Sequence, residues 1–499
     1  MTKFQMNPEV WAIGILRVAA MFSFAYASST FAKDSSVNFR SVDVKSIEEA
    51  IADASAEDLR KIEIKIARLM QENPADLSAN YLMSTLLLKM FTLDPGSYSL
   101  IRQSTELAAQ TYDLDQKSDL AITALANILE ATGENDRGLS LLSDAAKRGV
   151  TLGWRASLAK ARLIFNGKNA DAVLGILNET LADADASTEL IAPTLISAIL
   201  SRYDGEQQIN ELRRWAKRRD CFHLELALAN SLALNSHYDD AMAVYKRILA
   251  VKPDSTEALM SQGIISLRHL KQIDLAIQKF KLAAISAKYP SEKTAAQTHL
   301  ALALIGQKRD FAAANKASVA AISGASDQEG VLFAILAAYR KNADTQFTMS
   351  LLEELEKDVP GLHLAHAMKG EILSEKLGRY SDATRSFTDA ITLEPGRSEY
   401  YNGRGLAWMG IGNLNNALTD FENAAATNPD DASARYNVAC AQARLGQKED
   451  AMASLIKALE MDARLRSNAR VDQDLMALRG DPAFKALMDE NAKQVRVAH

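Results

Sequence analysis

Residues 378–462 read GRYSDATRSFTDAITLEPGRSEYYNGRGLAWMGIGNLNNALTDFENAAATNPDDASARYNVACAQARLGQKEDAMASLIKALEMD, and sets of landmarks recur in them every 34 residues. Gly378, Gly412 and Gly446 are the first set. Five residues after each stands an alanine (Ala383, Ala417, Ala451), then a large apolar residue (Phe387, Phe421, Leu455), then a second alanine (Ala390, Ala424, Ala458). Residues spaced i, i+4 and i+7 share one face of an α-helix, so each set is an apolar stripe. Tyr401, Gly405 and Trp408 lay a matching stripe ahead of Gly412. Gly412 can take the left-handed conformation that ends one helix, and Pro429 cannot continue the next. Each unit is therefore a pair of amphipathic helices. One such hairpin cannot bury both of its faces, so it must stack on its neighbours.

Size supports the same reading. Gly405, Ala417 and Ala424 are small where antiparallel helices would cross closely, and Trp408 and Phe421 fill the space between crossings. The series Tyr401, Gly405, Trp408, Ala417, Phe421, Ala424, Pro429 resembles the tetratricopeptide repeat family, with Arg404 standing where leucine is usual. That resemblance implies an all-α fold, a right-handed superhelical solenoid of helix-turn-helix hairpins with a concave binding face. It also implies, typically, no catalytic activity.

Working outward, the 34-residue rhythm weakens toward the N-terminus. Residues 362–465 are well-formed repeats and 118–361 divergent ones, among which Leu228, Ala229, Ala241, Tyr245, Ile248 and Pro253 mark one unit clearly. Units near 291–324 and 326–360 keep only the alternation of helix and short turn. Residues 33–117 are degenerate, with helices expected at 76–92 and 97–113 and a run Leu59, Ile62, Ile66, Leu69 leading into Pro74. About eleven hairpins are expected in all. Beyond Asp462, residues 466–499 depart from the pattern: Asp481 can cap a helix that opens on Pro482, and Leu475, Leu478, Phe484 and Leu487 are placed to cover the end of the stack. This segment resembles the terminal segment of many bacterial members of the family.

Residues 1–32 read as an export signal, with Lys3 and Arg17 ahead of a short apolar core at 18–27 and small residues for cleavage after Ala27 or Ala32. Arg17 interrupts the run before it reaches the roughly 20 apolar residues that a membrane span needs. The expected location is the bacterial periplasm. Cys221 and Cys440, the only cysteines, are expected near the starts of first helices several repeats apart, as free and mostly buried thiols.

Chemistry-bearing motifs are scarce. The net charge of −6 argues against general nucleic-acid binding. No GxxxxGK[ST], HExxH, GxSxG or CxxC pair occurs, and the glycines of 403–412 are explained by packing. His363 and His366 share a helix face and could share a metal, but no third ligand is evident, and ordinary polar positions are the preferred reading. Arg213, Arg214, Lys217, Arg218 and Arg219 surround Trp215 at the end of a second helix, as an anionic-partner site or, preferably, a solvated face favoured by the helix dipole. An α/α-toroid polysaccharide-active enzyme is the other class considered, and four tryptophans leave little for a sugar-stacking cleft.

The expectation is a non-catalytic scaffold or adaptor of the cell envelope, without cofactor or metal, that binds a protein segment. The alternative is a component of a secretion or polysaccharide-export machine. In the family the first helix of each hairpin lines the concave side, so Glu399, Asn402, Met409, Tyr436, Asn437 and Arg444 are expected to face a groove. Asn402, Asn437 and Arg444 are the partner-binding candidates; Asn437 falls where chaperone-binding members carry a clamp asparagine, but the other clamp lysines and arginines lack counterparts at matching positions, so that ligand is not the one expected.

Overall fold

The computed structural model describes residues 43–54, 56–165, 169–342 and 345–489. The expected export signal, Gly167 and the last ten residues of the capping segment lie outside them. Every regular element among the described residues is helical, and none of these helices is long and apolar enough to cross a membrane.

The chain divides into two compact units, Met1–Ile265 and Ser266–His499. In the first, α1 (Val44–Asp53) and α2 (Ala56–Glu72) precede the hairpins α3 (Leu77–Leu93) with α4 (Tyr98–Leu114) and α5 (Asp119–Ala131) with α6 (Asn135–Lys147). Next come α7 (Trp154–Ile164) with α8 (Ala170–Thr180), α9 (Thr188–Arg202) with α10 (Gly205–Arg218), and α11 (Phe222–Leu234) with α12 (Tyr238–Val251). Helix α13 (Thr256–Arg268) runs through the division and is followed by α14 (Ile273–Ser286). The second unit continues with α15 (Pro290–Ala303), a π-helical turn at Leu304–Lys308, α16 (Phe311–Ser323), α17 (Gln328–Asn342) and α18 (Thr345–Asp358). Then come α19 (His363–Glu375) with α20 (Tyr380–Leu393), α21 (Ser398–Ile411) with α22 (Leu414–Thr427), and α23 (Ala432–Arg444) with α24 (Lys448–Met461). The described residues end with α25 (Leu465–Val471), a 3-10 helix at Gln473–Leu478 and α26 (Pro482–Asp489). From α3 to α24 this makes eleven successive pairs, as the rhythm of the sequence implied.

The recurring stripes are the core. Ala383, Ala417, Ala451, Phe387, Phe421, Leu455, Ala390, Ala424 and Ala458 are all buried, and a fully buried phenylalanine contributes about 2–3 kcal/mol of hydrophobic stabilisation. Close approach is specific: a Cβ on Gly405 would stand 2.5 Å from the Phe421 ring, and one on Gly403 would stand 2.5 Å from the Phe387 ring. The glycines thus receive the aromatic rings of the second helices.

The turn inside each hairpin has one backbone requirement. Gly378, Gly412 and Gly446 hold positive φ angles of 62°, 87° and 82°, as the sequence implied. Gly133 keeps the glycine in one divergent hairpin, whereas three others keep the left-handed residue without it. Ser236, Lys271 and Arg309, with φ of 67°, 56° and 54°, directly precede the helix caps His237, Gln272 and Asp310, just as Gly412 precedes Asn413. Each such residue costs about 1 kcal/mol or more relative to its relaxed backbone. Stacking of the flanking helices overrides that cost.

Leu475, Leu478 and Phe484 are buried and Leu487 is partly buried against the cluster that holds Leu455 and Ala458. Asp481 accepts the Ala483 N–H at 2.7 Å, ahead of the turn that Pro482 opens.

Candidate partner-binding face

The first helices α21 and α23 of successive hairpins meet through the two candidate amides. Asn437 Nδ2 donates to Asn402 Oδ1 at 2.7 Å, and both side chains are half-buried. The candidates form a polar bridge between neighbouring first helices, each with further hydrogen-bonding capacity. Arg444 is exposed, and its Nη1 donates to Asp474 Oδ1 at 3.3 Å. Glu399 is exposed, while Met409 is half-buried and packs against the cluster of Phe421 and Val438.

Tyr436 is not free, in contrast to the expectation. It is buried, and its hydroxyl donates to Asp472 Oδ2 at 2.7 Å. The cause is the capping segment: Asp472 caps the 3-10 helix, and that helix packs on α23, covering part of the first-helix face of the last repeat. Burial and the neighbouring carboxylate push the Tyr436 hydroxyl far above the usual range. Cys440 lies in the interior of α23 rather than near its start, with Sγ 3.7 Å from the same Asp472 oxygen, and burial pushes its thiol up.

Arg404, which stands where leucine is usual in the repeat pattern, carries a contact that sequence reading missed. Its Nε and Nη2 donate to the two oxygens of Asp420 at 2.8 and 2.7 Å, and Nη1 donates to Thr388 Oγ1 at 3.0 Å. Asp420 sits one residue before Phe421 on the inner side of α22 and is buried. A cation at a leucine position with an acid beside the phenylalanine was the available signal.

The two histidines of α19 serve different neighbours. His363 Nδ1 lies 2.7 Å from the Tyr400 hydroxyl and Nε2 lies 3.2 Å from Glu329. His366 Nδ1 lies 3.2 Å from Glu356, whose carboxylate raises the imidazole pKa against the opposing effect of burial. Each imidazole is paired with polar groups of its own neighbours.

The arginine cluster disperses as well. Arg214 pairs with Glu211 at 3.5 Å, Arg218 donates to Asn178 at 3.4 Å, and Arg219 donates to the Leu181 carbonyl. Trp215 is buried. Arg213 and Lys217 line a cleft of about 350 Å³ between α10, α11 and α12, floored by Leu228, Leu232 and Val244.

A constellation not singled out from the sequence is Glu189, Cys221 and His223. Their ligand atoms all lie within 4.8 Å of one another, a donor set able to hold a cation. In the structure Glu189 accepts the Phe222 N–H at 3.1 Å and lies 2.6 Å from His223 Nδ1, tying the starts of α9 and α11 together. Burial pushes the Cys221 thiol up to about 12, so a metal would first have to displace its proton.

Two segments of the chain match sequence patterns described as "Tetratricopeptide repeat", one at residues 226–293 and one at 413–478. These two segments are tetratricopeptide repeats. A protein-interaction scaffold is the function such repeats support. No curated protein sequence matches the chain. Among solved structures the chain is similar to MamA 41-end from Desulfovibrio magneticus RS-1, at 16% identity and a TM-score of 0.26 over 42% of this chain and 96% of that one. It is similar to the structure of Naa15/Naa10 bound to HypK-THB, at 15% identity and a TM-score of 0.30 over 88% of this chain and 73% of that one. It is also similar to the TPR2AB-domain:pHSP90-complex of yeast Sti1, at 17% identity and a TM-score of 0.24 over 51% of this chain and 97% of that one.

Proposed function

We propose that this tetratricopeptide repeat protein is a non-catalytic scaffold of the cell envelope, exported to the bacterial periplasm, which holds a segment of a partner protein on the first-helix face of its C-terminal repeats. The observation that carries this reading is the Asn402–Asn437 bridge, a pair of neutral amides at the seam between two successive first helices. Side-chain amides can present both a donor and an acceptor to the backbone of a bound segment, and Arg444 at the edge adds one charge. The export reading rests on the composition of residues 1–32.

The test is capture from native envelope with full-length protein and with the Asn402→Ala, Asn437→Ala, Arg444→Ala triple variant. The variant is expected to lose the partner while its melting temperature stays nearly unchanged, because the three side chains lie outside the apolar core. Undiminished capture by the variant would remove this face from the proposal. The mature chain is expected to begin at Ser28 or Lys33, and a cytosolic protein that retains Met1 would refute export. Polysaccharide turnover that is abolished by changing one carboxylate would refute the non-catalytic reading.

A further inference from the structure

Helix α1 is short, precedes the repeats, and rests on the side of the first unit where first helices gather. Its stripe Val44, Ile47, Ile51 joins the apolar cluster that contains Leu82 and Leu86 of α3 and Ala124 and Ile128 of α5. In the middle of that stripe stands Glu48, whose side chain is only 5% exposed. Arg155 of α7 donates to its Oε2 from Nε at 2.8 Å and from Nη2 at 2.6 Å, and Tyr81 of α3 donates to its Oε1 at 2.5 Å. The adjacent Glu49 accepts from Ser187, the cap of α9, at 2.5 Å. Helices α3, α5, α7 and α9 are all first helices of their hairpins. So α1 is received as a bound peptide would be: an apolar stripe in a groove, with one carboxylate read by a cation and a phenol and a second read by a hydroxyl.

We propose that this face of the first unit is a seat for an acidic amphipathic helix of another protein, and that α1 occupies it in cis until such a helix displaces it. The proposal deepens the scaffold reading and rests on it, but it concerns other residues in the other unit. The partner is defined by the chemistry of the seat. It is a helix with apolar residues at i, i+3 and i+7 and a glutamate at i+4, matching Val44, Ile47, Ile51 and Glu48. A ten-residue helix is marginal alone, and a buried ion pair adds little net stability because desolvation offsets its attraction. The cis helix is therefore replaceable, its advantage being the effective concentration that its short connection to α2 confers.

The test uses the full chain and a dye-labelled peptide with the sequence of residues 43–54, DVKSIEEAIADA. In the E48R/I51D variant the seat is vacated, and the peptide is expected to bind at least about tenfold more tightly than to wild type, where α1 competes at roughly millimolar effective concentration. Adding R155A to that variant is expected to reverse the gain about tenfold or more, and a peptide carrying Glu48→Gln is expected to bind correspondingly more weakly. Three results would overturn the proposal. The vacated variant, folded by circular dichroism, could fail to bind peptide up to about 1 mM. It could lose amide protection throughout α3 to α9, which would make α1 a fixed part of the core. Or it could form a dimer that excludes the peptide, which would give the seat to a second copy of the chain. The capture test on Asn402, Asn437 and Arg444 reads a different surface, so either idea can fail alone.

Discussion

Arg404→Leu restores the residue type usual at its position in the repeat, yet it is expected to destabilise the protein. Asp420 is 5% exposed and accepts two charge-assisted hydrogen bonds, at 2.7 and 2.8 Å, from an arginine that is itself 19% exposed. Removing the guanidinium leaves a desolvated carboxylate without its cation. Uncompensated buried charges cost about 3–5 kcal/mol, and the partial exposure of Arg404 places this one near the lower end, at about 3 kcal/mol. Replacing both partners removes the unpaired charge, so Arg404→Leu with Asp420→Leu is expected to lie within about 1 kcal/mol of wild type. With Asp420→Leu alone costing little, because the freed Arg404 is partly exposed and can be solvated, the coupling term of the double-mutant cycle is about 2–3 kcal/mol. Long repeat arrays need not unfold in one step, so the readout is native-state hydrogen exchange of amides in α21 and α22, which reports local opening. If the single Arg404→Leu variant is as stable as the double variant, the reasoning about the pair is wrong.

Gly405→Leu drives a side chain into the Phe421 ring and is expected to cost about 1–3 kcal/mol or more, seen as a lower melting temperature; an unchanged melt would refute the close crossing of α21 and α22. Ser236→Gly removes a left-handed non-glycine residue and is expected to stabilise by about 0.5–1 kcal/mol in urea titration, whereas a loss of stability would show that the serine side chain is needed there. Because the Glu356 carboxylate beside it raises the His366 pKa above its ordinary 6.5, that pair stabilises the fold fully below about pH 6.5 and progressively less as pH rises through the folded value. His366→Gln should therefore flatten the melting profile between about pH 5.5 and 8.5, and an unaltered slope would assign the dependence elsewhere. With burial pushing the Cys221 thiol up to about 12 and the Cys440 thiol up as well, both should resist a thiol reagent in the native protein and react on unfolding. Rapid labelling of the folded chain would contradict that burial.

Local periodicity determined the architecture. A stripe of alanine, large apolar residue and alanine at i, i+4 and i+7 states which side of a helix is buried, and a glycine or proline at a fixed offset states where it stops. From these the hairpins between α19 and α24 were legible, as was the capping role of Leu475, Leu478 and Phe484. Where Ser236, Lys271 and Arg309 replaced the turn glycine, the landmark vanished from the sequence, but the turn survived because packing of the flanking helices holds the backbone there. What the sequence could not decide was pairing between residues far apart in the chain. Asp472 and Tyr436 are 36 residues apart, Asn402 and Asn437 are 35, and Glu48 and Arg155 are 107. A stripe says that a side chain faces inward or outward, but which groups meet across a seam depends on how one hairpin lies on another, and only the tertiary structure fixes that geometry. For that reason Tyr436 is expected to face a groove when the cap covers it, and the contacts of helix α1 with α3, α7 and α9, all distant in the chain, could not be read from the degenerate residues 33–117.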